Sequence, residues 1–451
     1  MKKNEEYIVD IIDNGFQGEG IAKIDNTTVF VKGAIKDEKV KTLILKVDKN
    51  ISYGKIVEII NSSKERVSPD CITYSSCGGC SLRHVNYDYS LRIKENAVRT
   101  TLRKTYGKDV EIEECIAAKN PICYRNKLQF PVAVSKDNKA VMGVFQERTH
   151  NIIETRNCLI QDNKSQEIAN FIIDFMNEHG IPAYDEKTLS GTIRHIVIRA
   201  GKKTDEIMVN LVTNQENIPH EKELVKELIQ KFTNIKTIVK NINNKNTNVI
   251  LGKEVKVLYG EGFIYDFIGK FKFKISPLSF FQVNPVQTER LYSKAVEYAD
   301  LKGNETIFDL YCGIGTIGIF SSDKAKKIYG IETIPEAIED AKQNATLNNI
   351  ENAEYFVGDV EKELPELIEK RSITPDVVFV DPPRKGCDKT AIDTLLKIES
   401  KRIVYVSCNP ATLGRDLKLL EVKYELEHLS VCDMFPYTSH IECVCALKLR
   451  D

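Results

Sequence analysis

The sequence predicts a multidomain chain with an N-terminal OB-like β-barrel over residues 1–62, an α+β middle domain over 63–275 and a C-terminal Rossmann-like α/β domain over 276–451. Three patterns carry this. Short alternating apolar and polar runs fill the N-terminal stretch, helix and strand periodicities mix in the middle, and from about residue 300 strand and helix alternate strictly. A chain of 451 residues is also too long for one ordinary core.

Composition narrows the class. Hydrophobic residues at 42% with 29% charged describe a globular chain, not a disordered one. No apolar run approaches the ~18 residues that span a bilayer. The start, MKKNEEYIVDII, has basic residues followed at once by acids and no apolar signal core. A cytoplasmic protein that engages no membrane is expected, and no protein partner is implied. Twelve cysteines in such a chain point to metal ligands or nucleophiles, not disulfides. The net charge of −1 hides a split: zero over 1–62, +7 over 63–275 and −8 over 276–451. The basic excess sits where a polyanion could be held, although lysine-rich sequences fluctuate by this much without function.

In the first domain the runs YIVDII, GIAKI, TTVFV, KVKTLILKV and SYGKIVEII are punctuated by Gly15, Gly18, Gly20, Gly33 and Asp25-Asn26. They predict a five-stranded barrel of a kind that binds single-stranded nucleic acid. The stretch resembles the TRAM domain, an RNA-binding barrel attached to several RNA-modifying enzymes. In the middle domain, residues 90–105 and 164–180 predict helices. YRNKLQFPVAV, AVMGVFQER and NIIETRNCLI predict strands, and IRHIVIRA with EIMVNLVT predicts a hairpin across Gly201–Asp205. A further helix is expected in HEKELVKELIQKF.

The last domain reads as a doubly wound parallel sheet: strands ETIFDLY, KKIYGIE, NAEYFVGD, PDVVFVDPP and RIVYVSC, with helices between them and a final pair ending in HIECVCALKL. The first of these strands closes on Asp309-Leu310-Tyr311-Cys312-Gly313-Ile314-Gly315-Thr316, where Gly313 and Gly315 allow a tight turn close to a ligand. Glu332 ends the next strand and can accept both ribose hydroxyl protons of a nucleoside cofactor. Gly318 completes a G-x-G-x-x-G, so the loop alone leaves a nicotinamide dinucleotide open. Asp381-Pro382-Pro383-Arg384 at the end of the fourth strand decides against it, because a rigid D-P-P edge there is typical of methyltransferases acting on nucleic-acid bases; a plain turn is the ordinary alternative.

Carbon 5 of uracil becomes nucleophilic when a thiolate adds to carbon 6, and a base must then remove the carbon-5 proton. The sequence supplies both groups. Cys408 stands in Val406-Ser407-Cys408-Asn409-Pro410 at the end of the fifth strand. Glu442 follows the run Phe435-Pro436-Tyr437-Thr438-Ser439-His440 and enters an apolar strand, where His440 and Glu442 are expected to share a face. A buried free cysteine and a sheet-edge charge are the bland alternatives.

Together F-F-Q-V-N at 280–284, D-L-Y-C-G-I-G-T at 309–316, D-P-P-R-K-G at 381–386, S-C-N-P at 407–410 and F-P-x-T-x-H-x-E at 435–442 resemble the RNA uracil-5 methyltransferase family over nearly the whole chain. The resemblance implies a seven-stranded Rossmann-like methyltransferase domain, Cys408 as nucleophile and Glu442 as base. It also implies S-adenosyl-L-methionine contacts from Gln282, Tyr311, Glu332 and Asp381; Gln282 and Tyr311 rest on it alone.

Cys71, Cys77 and Cys80 crowd into one loop around Gly78-Gly79, with Cys115, Cys123 and Cys158 as candidates for a fourth ligand. Such a trio fits zinc or an iron–sulfur cluster, and one compact group plus a distant cysteine favours the cluster. The ribosomal-RNA branch of the family carries this motif, which implies a 4Fe–4S cluster with Cys158, in a strand Arg156–Ile160, as its last ligand. The expected substrate is therefore 23S ribosomal RNA. The tRNA-directed branch is the nearest rival, set aside here because it generally lacks barrel and cluster. Arg384 stands where an RNA cytosine-5 methyltransferase would carry a second thiol, and intact Cys408 and Glu442 argue against a silent RNA-binding redox sensor.

Overall fold

The computed structural model describes residues 1–147 and 149–450. The chain forms two compact units: Met1–Ala118 with Pro383–Cys387 and Val406–Asp451, and Lys119–Pro382 with Asp388–Tyr405.

The first unit begins with β1 (Glu6–Asp10), β2 (Asp13–Asn14), β3 (Gly20–Ile24), β4 (Thr27–Lys32), β5 (Lys39–Val47) and β6 (Ile51–Asn61). They hydrogen-bond in the order β1-β5-β6-β4-β3-β2. The bond from Ile12 N to Ile21 O (2.8 Å) draws the end of β1 onto β3 and curls the sheet. The five longer strands fall on the five runs expected to be strands, and the two-residue β2 is an addition too short to leave a periodic signal. In β5 the alternation is visible: Val40, Thr42 and Ile44 point inward, and Val9, Ala22, Val29 and Val31 meet them in the core. Beyond the barrel come α1 (Tyr87–Thr105) and the two-residue β7 (Cys115–Ile116). Asn86 caps α1 by accepting the Asp88 N–H.

The second unit opens with β8 (Lys127–Val134), β9 (Ala140–Phe145), β10 (Ile152–Glu154), α2 (Asn163–Glu178), β11 (Ile193–Ala200), β12 (Ile207–Thr213), α3 (Glu221–Lys231), β13 (Ile235–Ile242) and β14 (Glu254–Tyr259). Seven strands form one sheet in the order β10-β9-β8-β11-β12-β13-β14. Ile168, Ile172 and Phe175 of α2 and Leu224 and Leu228 of α3 pack against Leu128, Phe130, Ile196, Ile198, Val209 and Leu211. A hairpin, β15 (Ile264–Ile268) and β16 (Phe271–Ile275), and helix α4 (Pro285–Ala299) lead on. They precede β17 (Thr306–Leu310), α5 (Thr316–Ser321), β18 (Lys327–Glu332), α6 (Pro335–Leu347), β19 (Ala353–Val357), α7 (Val360–Glu369), β20 (Val377–Val380), α8 (Lys389–Ile398) and β21 (Arg402–Ser407). These strands run parallel in the order β19-β18-β17-β20-β21, so the chain reverses direction across the sheet after β19.

One expected strand is absent. Residues 156–160 form a turn, since Thr155 N closes the last bond to Met142 O and Gln161 N then bonds Cys158 O (3.0 Å) on the approach to the Asp162 cap of α2.

The chain returns to the first unit with α9 (Pro410–Leu420), β22 (Tyr424–Cys432) and β23 (Glu442–Leu449). β22 pairs antiparallel with β23 and parallel with β7. Gly414 lets α9 approach α1 closely, because a Cβ there would lie 1.9 Å from Thr105 Oγ1. Beneath this contact Lys94 is buried against Asp433 (Nζ–Oδ1 2.6 Å) and also donates to the Phe435 carbonyl (3.0 Å). Tyr87 Oη donates to the other Asp433 oxygen (2.8 Å) and accepts the Ala118 N–H (2.8 Å). Burial pushes the Lys94 amine down, and Asp433 opposes that shift. Lys94→Ala strips a buried carboxylate of its cation and should lower unfolding stability by about 3–5 kcal/mol. A urea midpoint shifted by less than a fifth of that would show that solvent already reaches the pair.

Candidate active site and cofactor cradle

The cradle is built at the carboxyl ends of β18, β17 and β20, which are neighbours in the sheet. Past the end of β17, Tyr311 (φ 63°), Gly313 (φ 55°) and Gly315 (φ 80°) all take left-handed conformations, so the loop doubles back sharply. Gly315 could not be replaced without moving Tyr355, whose Oη lies 2.8 Å from the position of an added Cβ. Glu332 holds this loop: Oε2 accepts the Gly313 N–H (3.2 Å) and Oε1 accepts the Ile334 N–H (3.1 Å). Oε1 also accepts the Thr333 hydroxyl (2.9 Å), so Oε2 is the oxygen that retains a further lone pair for a ribose hydroxyl. Tyr311 Oη reaches Glu361 (3.4 Å). Gln282 precedes the Asn284 cap of α4, and Asn126 fixes its backbone by bonding the Gln282 and Val283 carbonyls. The structure thus places Gln282, Tyr311, Gly313, Gly315, Glu332 and Asp381 all in the second unit and brings the last five to adjoining strand ends.

Negative charge is concentrated here. Asp309 is fully buried, and burial pushes its carboxyl up to about 7; the Gly318 N–H (2.8 Å) pulls the other way, and Asp381 and Glu332 add to the rise. Asp381, partly exposed at the surface of the cradle, is likewise pushed up to about 7 by desolvation. Crowded carboxyls short of countercharge suit a ligand that carries positive charge of its own.

Cys408 and Glu442 lie in the first unit. Cys408 is half-buried, directly before Asn409, which caps α9 by accepting the Ala411 N–H (3.1 Å). An anion at this position meets the positive end of the helix. Asn409 also donates to the Arg384 carbonyl (3.0 Å), and Thr412 bonds the same oxygen (3.3 Å), so the Pro383–Cys387 turn and the cysteine turn are stitched together. Glu442 is the first residue of β23 and only 5% exposed. The fully buried Cys443 thiol is pushed far up, first by desolvation and then by Cys445, Glu442 and Cys408. His440 does not share the face of Glu442. It lies outside β23, exposed, because Thr438 and Phe435 form a turn that delays the strand.

Cys71, Cys77 and Cys80 all lie in the first unit and are partly accessible, but among the described residues their three sulfurs do not all come within 4.8 Å of one another. The Gly79 N–H points at Cys77 Sγ (3.3 Å), and Cys71 contributes to the upward shift of the Cys77 thiol after burial. Three thiols with backbone N–H aimed at sulfur fit a thiolate-bound metal group. Cys115 fits poorly, since burial and then Glu95 and Asp433 push its thiol up to about 12. Cys158 and Cys123 belong to the second unit, where the Cys123 N–H bonds the Leu159 carbonyl (2.9 Å) beside Cys158.

Periodicity did not reveal a cationic pair on the middle sheet. Lys127 and Arg199 are directly opposed across β8 and β11, and burial, then Arg199 and Arg125, push the Lys127 amine down to about 7. Two cations facing each other on inward-turned strand positions are unfavourable without an anion; the signal in sequence was only basic residues at alternate positions of Y-R-N-K-L and I-V-I-R.

Residues 86–450 match the family model described as tRNA (Uracil-5-)-methyltransferase, and residues 2–57 match the TRAM domain. The chain is 50% identical over 455 residues to an uncharacterized RNA methyltransferase of Clostridium acetobutylicum, covering all of this chain and 98% of that protein. It is 48% identical to one of Clostridium tetani, covering 98% and 96%. Among solved structures it resembles the Pyrococcus abyssi tRNA (uracil-54, C5)-methyltransferase in complex with S-adenosyl-L-homocysteine, at 28% identity and a TM-score of 0.78, covering 98% of this chain and 99% of that one. No helix among the described residues is long and apolar enough to cross a membrane.

The raised Asp309 carboxyl gives a pH test. Its folded value, about 7, exceeds the ordinary 3.8, so the stability it supplies is fully present below about pH 4 and is lost as pH rises through about 7. Ligand-free protein should melt at lower temperature at pH 8 than at pH 6, and Asp309→Asn should flatten that slope. Equal slopes in the two proteins would place the proton elsewhere.

Proposed function

The chain belongs to the tRNA (uracil-5-)-methyltransferase family and carries a TRAM domain, and from that premise we propose that this S-adenosylmethionine-dependent RNA methyltransferase modifies carbon 5 of a uridine in 23S ribosomal RNA. The reading rests on one observation above the others: a partly exposed thiol before a helix, Cys408, and a buried carboxylate, Glu442, in the same unit.

In the proposed reaction the Cys408 thiolate adds to carbon 6 of the uracil, and the displaced double-bond electrons collect as an enolate at carbon 5. Carbon 5 bonds the methyl carbon of the sulfonium donor as the sulfur–methyl bond breaks, and the electron pair of that bond stays on sulfur, leaving neutral S-adenosyl-L-homocysteine. Glu442 takes the carbon-5 proton, the carbon 5–carbon 6 double bond re-forms, and the Cys408 thiolate is expelled. Glu332 holds the ribose of the donor, with Gln282, Tyr311 and Asp381 as further contacts and Gly313 and Gly315 leaving room for it.

A specific observation favours a second substrate. The Pyrococcus structure, a tRNA (uracil-54, C5)-methyltransferase by its description, is matched over 98% of this chain, barrel included. The barrel therefore does not separate ribosomal RNA from tRNA, and tRNA is the second reading. Total RNA incubated with the enzyme and a labelled methyl donor decides it, since label in 23S RNA alone supports the first and label in tRNA alone the second.

Glu442→Gln should accumulate a covalent adduct of protein, RNA and labelled methyl that survives denaturing electrophoresis, whereas Cys408→Ala should form neither adduct nor product while retaining cofactor binding. Normal turnover by either variant removes that residue from the mechanism.

We further propose that Cys71, Cys77, Cys80 and Cys158 hold a 4Fe–4S cluster. Protein prepared without air should be brown and contain iron and acid-labile sulfide in equal amounts. Zinc in place of iron would overturn the cluster, and loss of colour in Cys123→Ala but not in Cys158→Ala would move the fourth ligand.

A further inference from the structure

The second unit carries a cluster of ligating side chains far in sequence from every motif used above. His179 caps the C-terminus of α2, and His220 and Glu223 stand at the N-cap and first turn of α3. Their donor atoms all lie within 4.8 Å of one another. Glu223 Oε2 is 3.0 Å from His220 Nδ1 and 3.8 Å from His179 Nε2. Two ligand atoms on a tetrahedral ion at the ~2.0–2.1 Å bond lengths of zinc are separated by roughly 3.3 Å, so these two edges bracket the required value.

The protonation of His179 is set by its partner. Its Nδ1 lies 3.1 Å from the Phe175 carbonyl, which can only accept, so Nδ1 carries the proton and Nε2 of the neutral ring presents a lone pair. That lone pair faces a carboxylate oxygen, an arrangement that favours a cation between them. A histidine whose second nitrogen donates to a backbone carbonyl is also the usual preparation of a metal ligand. Stacking on Phe175, with ring centroids 4.0 Å apart, fixes the ring plane. On the other side His220 holds a left-handed backbone (φ 57°, ψ 23°) without capping α3 through its side chain. This uncommon conformation for a residue with a Cβ turns the imidazole toward Glu223 and within 4.9 Å of the His179 ring.

We propose that His179, His220 and Glu223 form a binding site for a borderline divalent transition ion, zinc foremost, that clips the end of α2 to the start of α3. Two imidazole nitrogens and one carboxylate oxygen select zinc over magnesium or calcium, which take oxygen ligands. The fourth tetrahedral position faces solvent, since His220 and Glu223 are about half exposed.

The test is a titration of the purified full-length protein with Co²⁺, followed by its visible d–d absorption and by displacement with Zn²⁺. His220→Ala is the informative variant, because it leaves the Phe175–His179 stack intact and should melt like wild type in metal-free buffer. One equivalent of Co²⁺ should give d–d bands without sulfur-to-metal charge transfer, which separates this site from the cysteine loop. Those bands should vanish in His220→Ala, and zinc should raise the melting temperature of wild type but not of the variant. Glu223→Gln should weaken binding by more than the roughly 10–100-fold that loss of a supporting partner costs. Identical titrations of wild type and His220→Ala, bands seen only together with thiolate charge transfer, or half-saturation only at millimolar Co²⁺ would each overturn the site.

Discussion

Three acidic side chains at neighbouring strand ends impose the governing constraint on the cradle. Asp309, Glu332 and Asp381 end up there because parallel strands point their carboxyl ends the same way, and β17 lies between β18 and β20. The fold relieves the repulsion unequally. Glu332 is stabilised by two backbone N–H groups, Asp309 receives one and is sealed from water, and Asp381 receives no comparable help. The loop geometry of residues 311–315 follows from this, since Gly313 must turn its N–H onto Glu332. A donor bearing a positively charged sulfur completes a charge balance that the polypeptide leaves open.

The first unit solves a different problem, which is to hold steady the loop that leads into Glu442 at the start of β23. Residues 433–441 contain no helix or strand, yet they are fastened at both ends. Lys94 and Tyr87 grip Asp433, and the Tyr437 carbonyl accepts the N–H groups of Ser81 and Leu82 (3.0 and 2.9 Å). The Arg83 guanidinium lies 4.3 Å over the Tyr437 ring and is itself paired with Asp70. The segment that carries Cys71, Cys77 and Cys80 therefore also braces the approach to Glu442, so an order imposed on those thiols is felt by the strand that the glutamate begins.

Much of this was legible before any coordinates. Strand–helix alternation located β17 to β21 and α6 because both periodicities are long and uninterrupted there. The hairpin of β11 and β12 was legible from its polar turn. What escaped has physical reasons. β7 is two residues long and exists only because β22 offers an edge. Residues 156–160 carry strand-like residues, but their backbone groups are taken by the Gln166 and Asn170 side chains of α2 and by the N–H groups of Cys123, Arg125 and Gln161. His440 obeys the spacing of a strand face, yet the Thr438 hydroxyl bonds its N–H and keeps it out of β23. Asn409 was legible as part of a motif but not as the residue that joins two turns, because a tether between distant segments leaves no local pattern.

The contact of α1 with α9 has a consequence for how the molecule comes into being. Thr105 and Gly414, which meet there, are separated by some three hundred residues of chain. At the ~5–20 residues per second of translation, α1 leaves the ribosome roughly 15–60 s before its partner exists. Throughout that interval Leu102 on its inner face lacks the helix that will cover it, and Lys94 has no carboxylate, although Ile93 already has Ile35, Leu82 and Val85 to pack on. The barrel and the middle sheet are contiguous in the chain and are free to fold as they emerge. The unit bearing Cys408 and Glu442, the proposed nucleophile and base, is different, because its last pieces are the last to be synthesised. A nascent helix with an exposed apolar stripe is a natural client for a chaperone, and the enzyme's chemistry is withheld until synthesis is nearly over.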